Sequence, residues 1–130
     1  KGAYSFLLLT FLYPHFKYGQ VTLHQDHIHP SAGFKNEYFN KNEFNDERKR
    51  DWWAKRDMLP NLQLLEGREN QSKNSKPFLE WINEGNTEEI SVFLGRNYIS
   101  QELDLGFDNF ENFFEERRAR LKVELRKSML

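Results

Sequence analysis

Two short segments carry the residues with chemistry to offer. The first is DHIHP, Asp26 to Pro30, which sets a carboxylate beside an imidazole. The second is NLQLLEGRENQSK, Asn61 to Lys73, with two asparagines nine residues apart and a lysine three further on. An aspartate oxygen is a hard ligand, and a histidine titrates near neutrality, so it can take a proton from water. Asn70 offers a neutral amide oxygen, and Lys73 shares its face if the segment is helical. One carboxylate, one amide oxygen and waters suit magnesium or manganese better than zinc. Lys73 can neutralise phosphate charge. Together these are the means for metal-assisted hydrolysis of a phosphodiester.

Consecutive strand residues point to opposite faces, so Asp26 and His27 converge only where a strand ends or bends. Gln20 to Ile28 reads as extended, and Pro30 with Ser31-Ala32-Gly33 breaks it. Asn61 to Leu65 alternates, with Leu62 and Leu64 on one face, which suits a short strand. Gly67 permits a turn, and Arg68 to Asn74 reads as a short helix. Between the strands, Lys35 to Asp57 is polar and rich in Asn; from Asn45 onward it reads as a helix carrying Arg48, Lys49, Arg50, Lys55 and Arg56.

The flanks read as helical. Gly2 to Leu12 is apolar nearly all round and Pro14 ends it. Such a helix needs protein on most sides, and the expected source of part of that cover is sequence preceding Lys1. The apolar run Tyr4 to Tyr13 is too short to span a bilayer. Pro77 and Gly85 bracket a helix with Phe78, Leu79, Trp81 and Ile82. Thr87 is the expected cap of the next helix, with Gly95 closing it. Asp108 and Glu111 resemble a capping box. The last helix carries the stripe Phe110, Phe113, Phe114, Leu121, Leu125 and Met129.

Composition bounds the rest. A length of 130 residues suits one domain with a real core, and 12 phenylalanines supply it. Charged residues at 30% and a mean hydropathy of −0.86 give a solvated exterior. A net charge of −1 lacks the basic excess of most nucleic-acid binders, so polyanion contact must come from local patches. The absence of cysteine excludes disulfides and thiolate zinc sites and fits a reducing, cytoplasmic setting. The chain begins at Lys1 without methionine, so we expect it to be a piece of a longer protein.

Taken singly, each residue has a plainer explanation. Asn61 suits a turn, Asn70 and Lys73 a solvated helix face, and a lone Asp-His pair the surface. His27 and His29, joined by His15 or His24 and an acid, would make a zinc hydrolase site for a small molecule. Arg48 to Arg50, and Arg117, Arg118 and Arg120, either line a phosphate groove or balance nearby acids; for the second cluster a solvated face is expected. Trp52 and Trp53 suit base stacking or the core, and at least one is expected to be buried, as is Trp81.

Joint occurrence narrows this. DHIHP followed by N-L-x-L-L-x(4)-N-x-x-K resembles the HNH, or ββα-metal, nuclease motif, and is particularly similar to the HNH domain of the RNA-guided CRISPR effector. The apolar helix before DHIxP and NLQLLEGxENxxKxxKPxxEW after it resemble the C-terminal nuclease domain of GmrSD-type modification-dependent restriction proteins. The resemblance covers Val21 to Ile82 well. It implies an α+β fold with a ββα-metal core at about residues 20–76, a long insertion, and helical flanks at 1–14 and 77–130, all in a single domain. It implies that His27 is the general base and that Asp26 and Asn70 hold Mg2+ or Mn2+. Asn61 would orient the His27 segment, and Lys73 and His29 would contact nucleic acid. The implied function is a metal-dependent endonuclease acting on DNA in a bacterial anti-phage restriction protein; a catalytically inactive binding module on the same scaffold is the alternative. The implied partners are DNA and an N-terminal nucleotide-binding domain, in the cytoplasm and with no membrane. Three departures stand out: no cysteines flank the motif, the segment between His27 and Asn61 is long, and His29 stands where many relatives carry an apolar residue.

Overall fold

The computed structural model describes residues 1–85 and 88–128. The described elements are α1 (Ala3–Leu12), β1 (Leu23–His27), α2 (Asn36–Lys41), α3 (Asp46–Lys55), β2 (Leu62–Glu66), α4 (Gly67–Lys73), α5 (Phe78–Asn83), α6 (Ile90–Arg96) and α7 (Phe110–Ser128). The fold is α+β, with β1 and β2 antiparallel and in register from Leu23 opposite Glu66 to His27 opposite Leu62. Helix α4 leaves β2 with no intervening loop and packs on both strands, which completes a ββα unit. It ends at Asn74, which takes a positive φ of 46° with ψ of −127°.

Strand β2 is covered on both faces, which is why LQLL reads as a nearly continuous apolar run. Leu65 joins Ile28 in a mainly aromatic core with Phe34, Trp52, Trp81 and the α7 phenylalanines. Leu62 and Leu64, on the opposite face, pack with Leu9, Leu12, Tyr13 and Leu121. The insertion is thus a working part of the core: it folds as α2 and α3, and the Asn45 side chain caps α3 by accepting from Arg48 N at 2.8 Å. Trp52 is buried, whereas Trp53 is half exposed.

Several expectations shift. The first strand begins at Leu23, and Tyr18 and Val21 form only an isolated bridge before it. Asn61 ends a 3-10 turn (Leu59–Asn61) just ahead of β2 instead of opening the strand. Gly95 lies inside α6, and the expected Thr87 cap and Met129 contact fall outside the described residues. The Asp108–Glu111 capping box does not form, because distant partners take both carboxylates. Tyr38 donates to Asp108, while Glu111 accepts from Trp52 Nε1 and Arg48 Nε, each at 2.7 Å. Helix α1 buries Leu9 and Leu12 but leaves Tyr4, Leu7 and Phe11 exposed. Among the described residues no helix is long and apolar enough to cross a membrane.

Candidate active site

Asp26 and His27 are the last two residues of β1. The strand stops there, and both residues line one open cleft of about 440 Å³ together with Lys1, His24, Gln25 and Asn70. Asp26 lies opposite Gln63 in the register, and Gln63 Nε2 donates to Asp26 Oδ2 at 2.9 Å. Lys73 Nζ reaches the same oxygen at 3.0 Å and donates to the His27 carbonyl at 2.7 Å. Among the described residues Oδ1 of Asp26 has no partner, so one carboxylate oxygen is tied down and the other is left for a ligand.

Lys73 is fully buried. Burial lowers its pKa and the charge and hydrogen bond of Asp26 oppose that, with a net shift downward. The ammonium expected to meet phosphate is thus spent inside the protein, holding α4 to the end of β1. Asn70, one turn earlier on α4, is half-buried and lines the same cleft as Asp26, and its side-chain amide has no hydrogen bond among the described residues.

His27 Nε2 lies 2.6 Å from Asp57 Oδ1. Burial pushes the imidazole pKa below its ordinary 6.5, and the hydrogen bond and charge of Asp57 only partly restore it. For Asp57, desolvation raises the pKa, but the His27 hydrogen bond and the Arg56 guanidinium outweigh it and hold the carboxyl below its usual range. The contact is therefore best described as a neutral ring donating to a carboxylate, despite its ion-pair distance.

Asn61 is fully buried and works as a backbone clamp. Its Oδ1 accepts from His29 N at 2.9 Å, and its Nδ2 donates to His29 O at 3.0 Å and to Arg56 O at 2.9 Å. One side chain so ties the segment after His27 to the turn that presents Asp57. Arg117 of α7, also buried, secures the same turn from behind. It donates to the carbonyls of Leu59, Pro60 and Leu62 at 3.2, 2.9 and 2.7 Å and to that of Asn97 at 3.1 Å.

His29 is placed differently from the nucleic-acid contact expected of it. It is 1% exposed, and its ring meets those of Phe78, Phe107, Phe110 and Phe113. Burial pushes its pKa down to about 3, with the Lys73 charge adding to the effect. The zinc-hydrolase alternative loses its geometry with it: among the described residues no three His, Asp or Glu side chains come together to hold a metal. The second arginine cluster divides in the same way. Arg118 and Arg120 stay exposed beside Glu115 and Glu124, while Arg117 is in the core.

Asp57 and Gln63 were not singled out from the sequence, and Arg117 was read only as part of a solvated cluster. Gln63 was readable once Asp26 is paired across the sheet, and Arg117 falls in phase with the stripe of Phe110, Phe113, Phe114 and Leu121. Asp57 carried no signal, being one of several acids in a charged insertion.

The free Asp26 oxygen and the unpaired Asn70 amide on one cleft fit a hard divalent cation that completes its shell with water and phosphate oxygens. Among curated proteins no relative matches the chain. The family model for the C-terminal domain of GmrSD restriction endonucleases matches residues 7–121, a span that contains the Asn61 clamp and the strand end with Asp26, His27 and Asn70, and the chain belongs to that family.

Proposed function

We propose that the chain is a Mg2+- or Mn2+-dependent endonuclease domain that hydrolyses DNA phosphodiesters with His27 as general base. The observation that carries this is that Asp26, His27 and Asn70 all line one open cleft at the end of β1. The family of restriction endonucleases supports a nucleic-acid substrate. DNA as substrate, a nucleotide-binding domain as partner, a role against phage and a cytoplasmic setting belong to the same proposal.

Asp26 and Asn70 would hold the cation, which when bound supplies Lewis-acid stabilisation of charge on the phosphate and the departing oxygen. His27 is neutral at pH 7 and takes a proton from water. The water oxygen forms the new bond to phosphorus, the P–O3′ bond breaks, and the leaving oxygen is protonated from solvent. A positioned base of this kind contributes roughly 10²–10⁴-fold in rate. Lys73 acts from beneath: it fixes Asp26 and the His27 carbonyl so that neither must reorganise during the reaction. Asn61 contributes by holding the backbone after His27.

The test is plasmid nicking by the chain in magnesium, in manganese and in chelator, beside His27→Ala. Metal-dependent nicking lost in the variant is the expected result. Undiminished nicking by His27→Ala would remove His27 as the base. DNA binding without cutting in any metal would favour the inactive module on the same scaffold.

A further inference from the structure

His27 has two ring nitrogens, and the structure distinguishes them. Nε2 is 2.6 Å from Asp57 Oδ1. An ionised carboxylate is acceptor-only, so Nε2 carries the hydrogen, and in the neutral ring Nδ1 then keeps the lone pair. Asp57 does not drift to meet the ring. Its other oxygen, Oδ2, is held by Arg56 through NH2 at 3.2 Å and Nε at 3.3 Å. The Arg56 guanidinium is in turn stacked on Trp53, 3.8 Å from the ring centroid. The Arg56 carbonyl accepts from Asn61 Nδ2, and the same Asn61 amide brackets the backbone of His29. The carboxylate and the imidazole are thus fastened to one frame from both sides, one from α3 and its following turn, the other from β1.

We propose that Asp57 is the positioning residue of His27: it accepts the Nε2–H, fixes that tautomer and ring orientation, and leaves Nδ1 as the atom that takes the proton from water. This rests on the reading of His27 as the base. It assigns the long insertion a part in the chemistry, since the insertion delivers Asp57 and the Arg56–Trp53 stack that steadies it. Asp57 is not itself part of the cleft lining: its backbone carbonyl accepts from the Lys1 ammonium at 3.0 Å, and its side chain meets only His27 and Arg56 among the described residues, so the carboxylate acts on the reaction through the ring. At 44% exposure its side chain can be changed without opening the core.

The experiment compares the full chain with Asp57→Asn and Asp57→Glu. Two readouts are used: steady-state nicking at fixed magnesium, and long-range 15N–1H correlation spectra of the imidazoles, with His27→Ala assigning the His27 signals. An asparagine amide can donate to Nε2 and so favours the opposite tautomer. We expect Asp57→Asn to lower kcat roughly 10²-fold or more with KM little changed, as for loss of an interaction that acts at the transition state. We expect the wild-type His27 spectrum to show Nε2–H, Asp57→Asn to lose that pattern, and Asp57→Glu to recover the pattern and part of the rate. A wild-type Nδ1–H tautomer overturns the proposal, as does an Asp57→Asn chain with unchanged tautomer and kcat. The spectra answer without turnover, so they separate this from failure of the base itself, which would appear as full nicking by His27→Ala.

Discussion

At the scale of single residues, the site is surrounded by buried polar groups whose protonation and pairing are stability terms. His29 shows the sign clearly. In the unfolded chain it titrates near 6.5, whereas in the aromatic core it is held neutral down to about 3. Between those values the unfolded chain binds the extra proton, so the contribution is complete above pH 6.5 and is lost as pH falls below it, by up to about 1.4 kcal/mol per unit. Urea midpoints at pH 7 and pH 5 should therefore differ more for the wild type than for His29→Phe, by about 2 kcal/mol once converted; equal differences would show that this ring does not carry the acid sensitivity. Lys73 makes the complementary case. Removing the ammonium in Lys73→Met leaves Asp26 with only Gln63 and strips the His27 carbonyl of its donor. Breaking a buried pair in this way costs about 3 kcal/mol. Equilibrium unfolding measures it, and a variant as stable as the wild type would mean the pair is solvated.

At the scale of elements, what was legible in the sequence and what was not divides along physical lines. The paired strands, α4 with Asn70 and Lys73, and the apolar faces of α5 and α7 were readable because periodicity and turn residues act locally. The fates of His29, Lys73 and Arg117 were not, since the same polar side chain serves a surface or a core depending on what folds over it. The Asp108–Glu111 pair misled for the same reason: a local cap lost to Tyr38, Trp52 and Arg48 from other elements. Arg117 shows how strongly one element can depend on another. It reaches from α7 to the carbonyls on either side of Asn61, so it holds the turn that places the clamp. Arg117→Met keeps the length and apolar stem but strands those buried carbonyls, at about 1–3 kcal/mol for an unsatisfied group. We expect a loss of about 3 kcal/mol and a weakened His27–Asp57 contact, read by denaturation and by the His27 imidazole spectrum together. Loss of stability with an unchanged spectrum would confine Arg117 to the core.

At the scale of the whole molecule, the ββα unit has no separate core. Its two faces are covered by α1 and α7 on one side and by the insertion with α5, α6 and α7 on the other. A chain ending at Leu105 should therefore lose cooperative unfolding, although every motif residue from Asp26 to Lys73 is retained. Limited proteolysis and circular dichroism would show this, and a protease-resistant, cooperatively melting shortened chain would contradict it. The two strands are also separated by the entire insertion, so they cannot zip together as a hairpin; closing such a loop carries an entropic cost that only later contacts offset. Since Arg117 lies 57 residues beyond Pro60, the turn beside Asn61 is secured only when α7 arrives. During synthesis the chain emerges from its N-terminus at about 5–20 residues per second. A ribosome-bound chain thus carries all the motif residues for some seconds before they are assembled. Until the last helix is made, the turn beside Asn61 lacks its support, so the motif residues exist as sequence before they exist as a site.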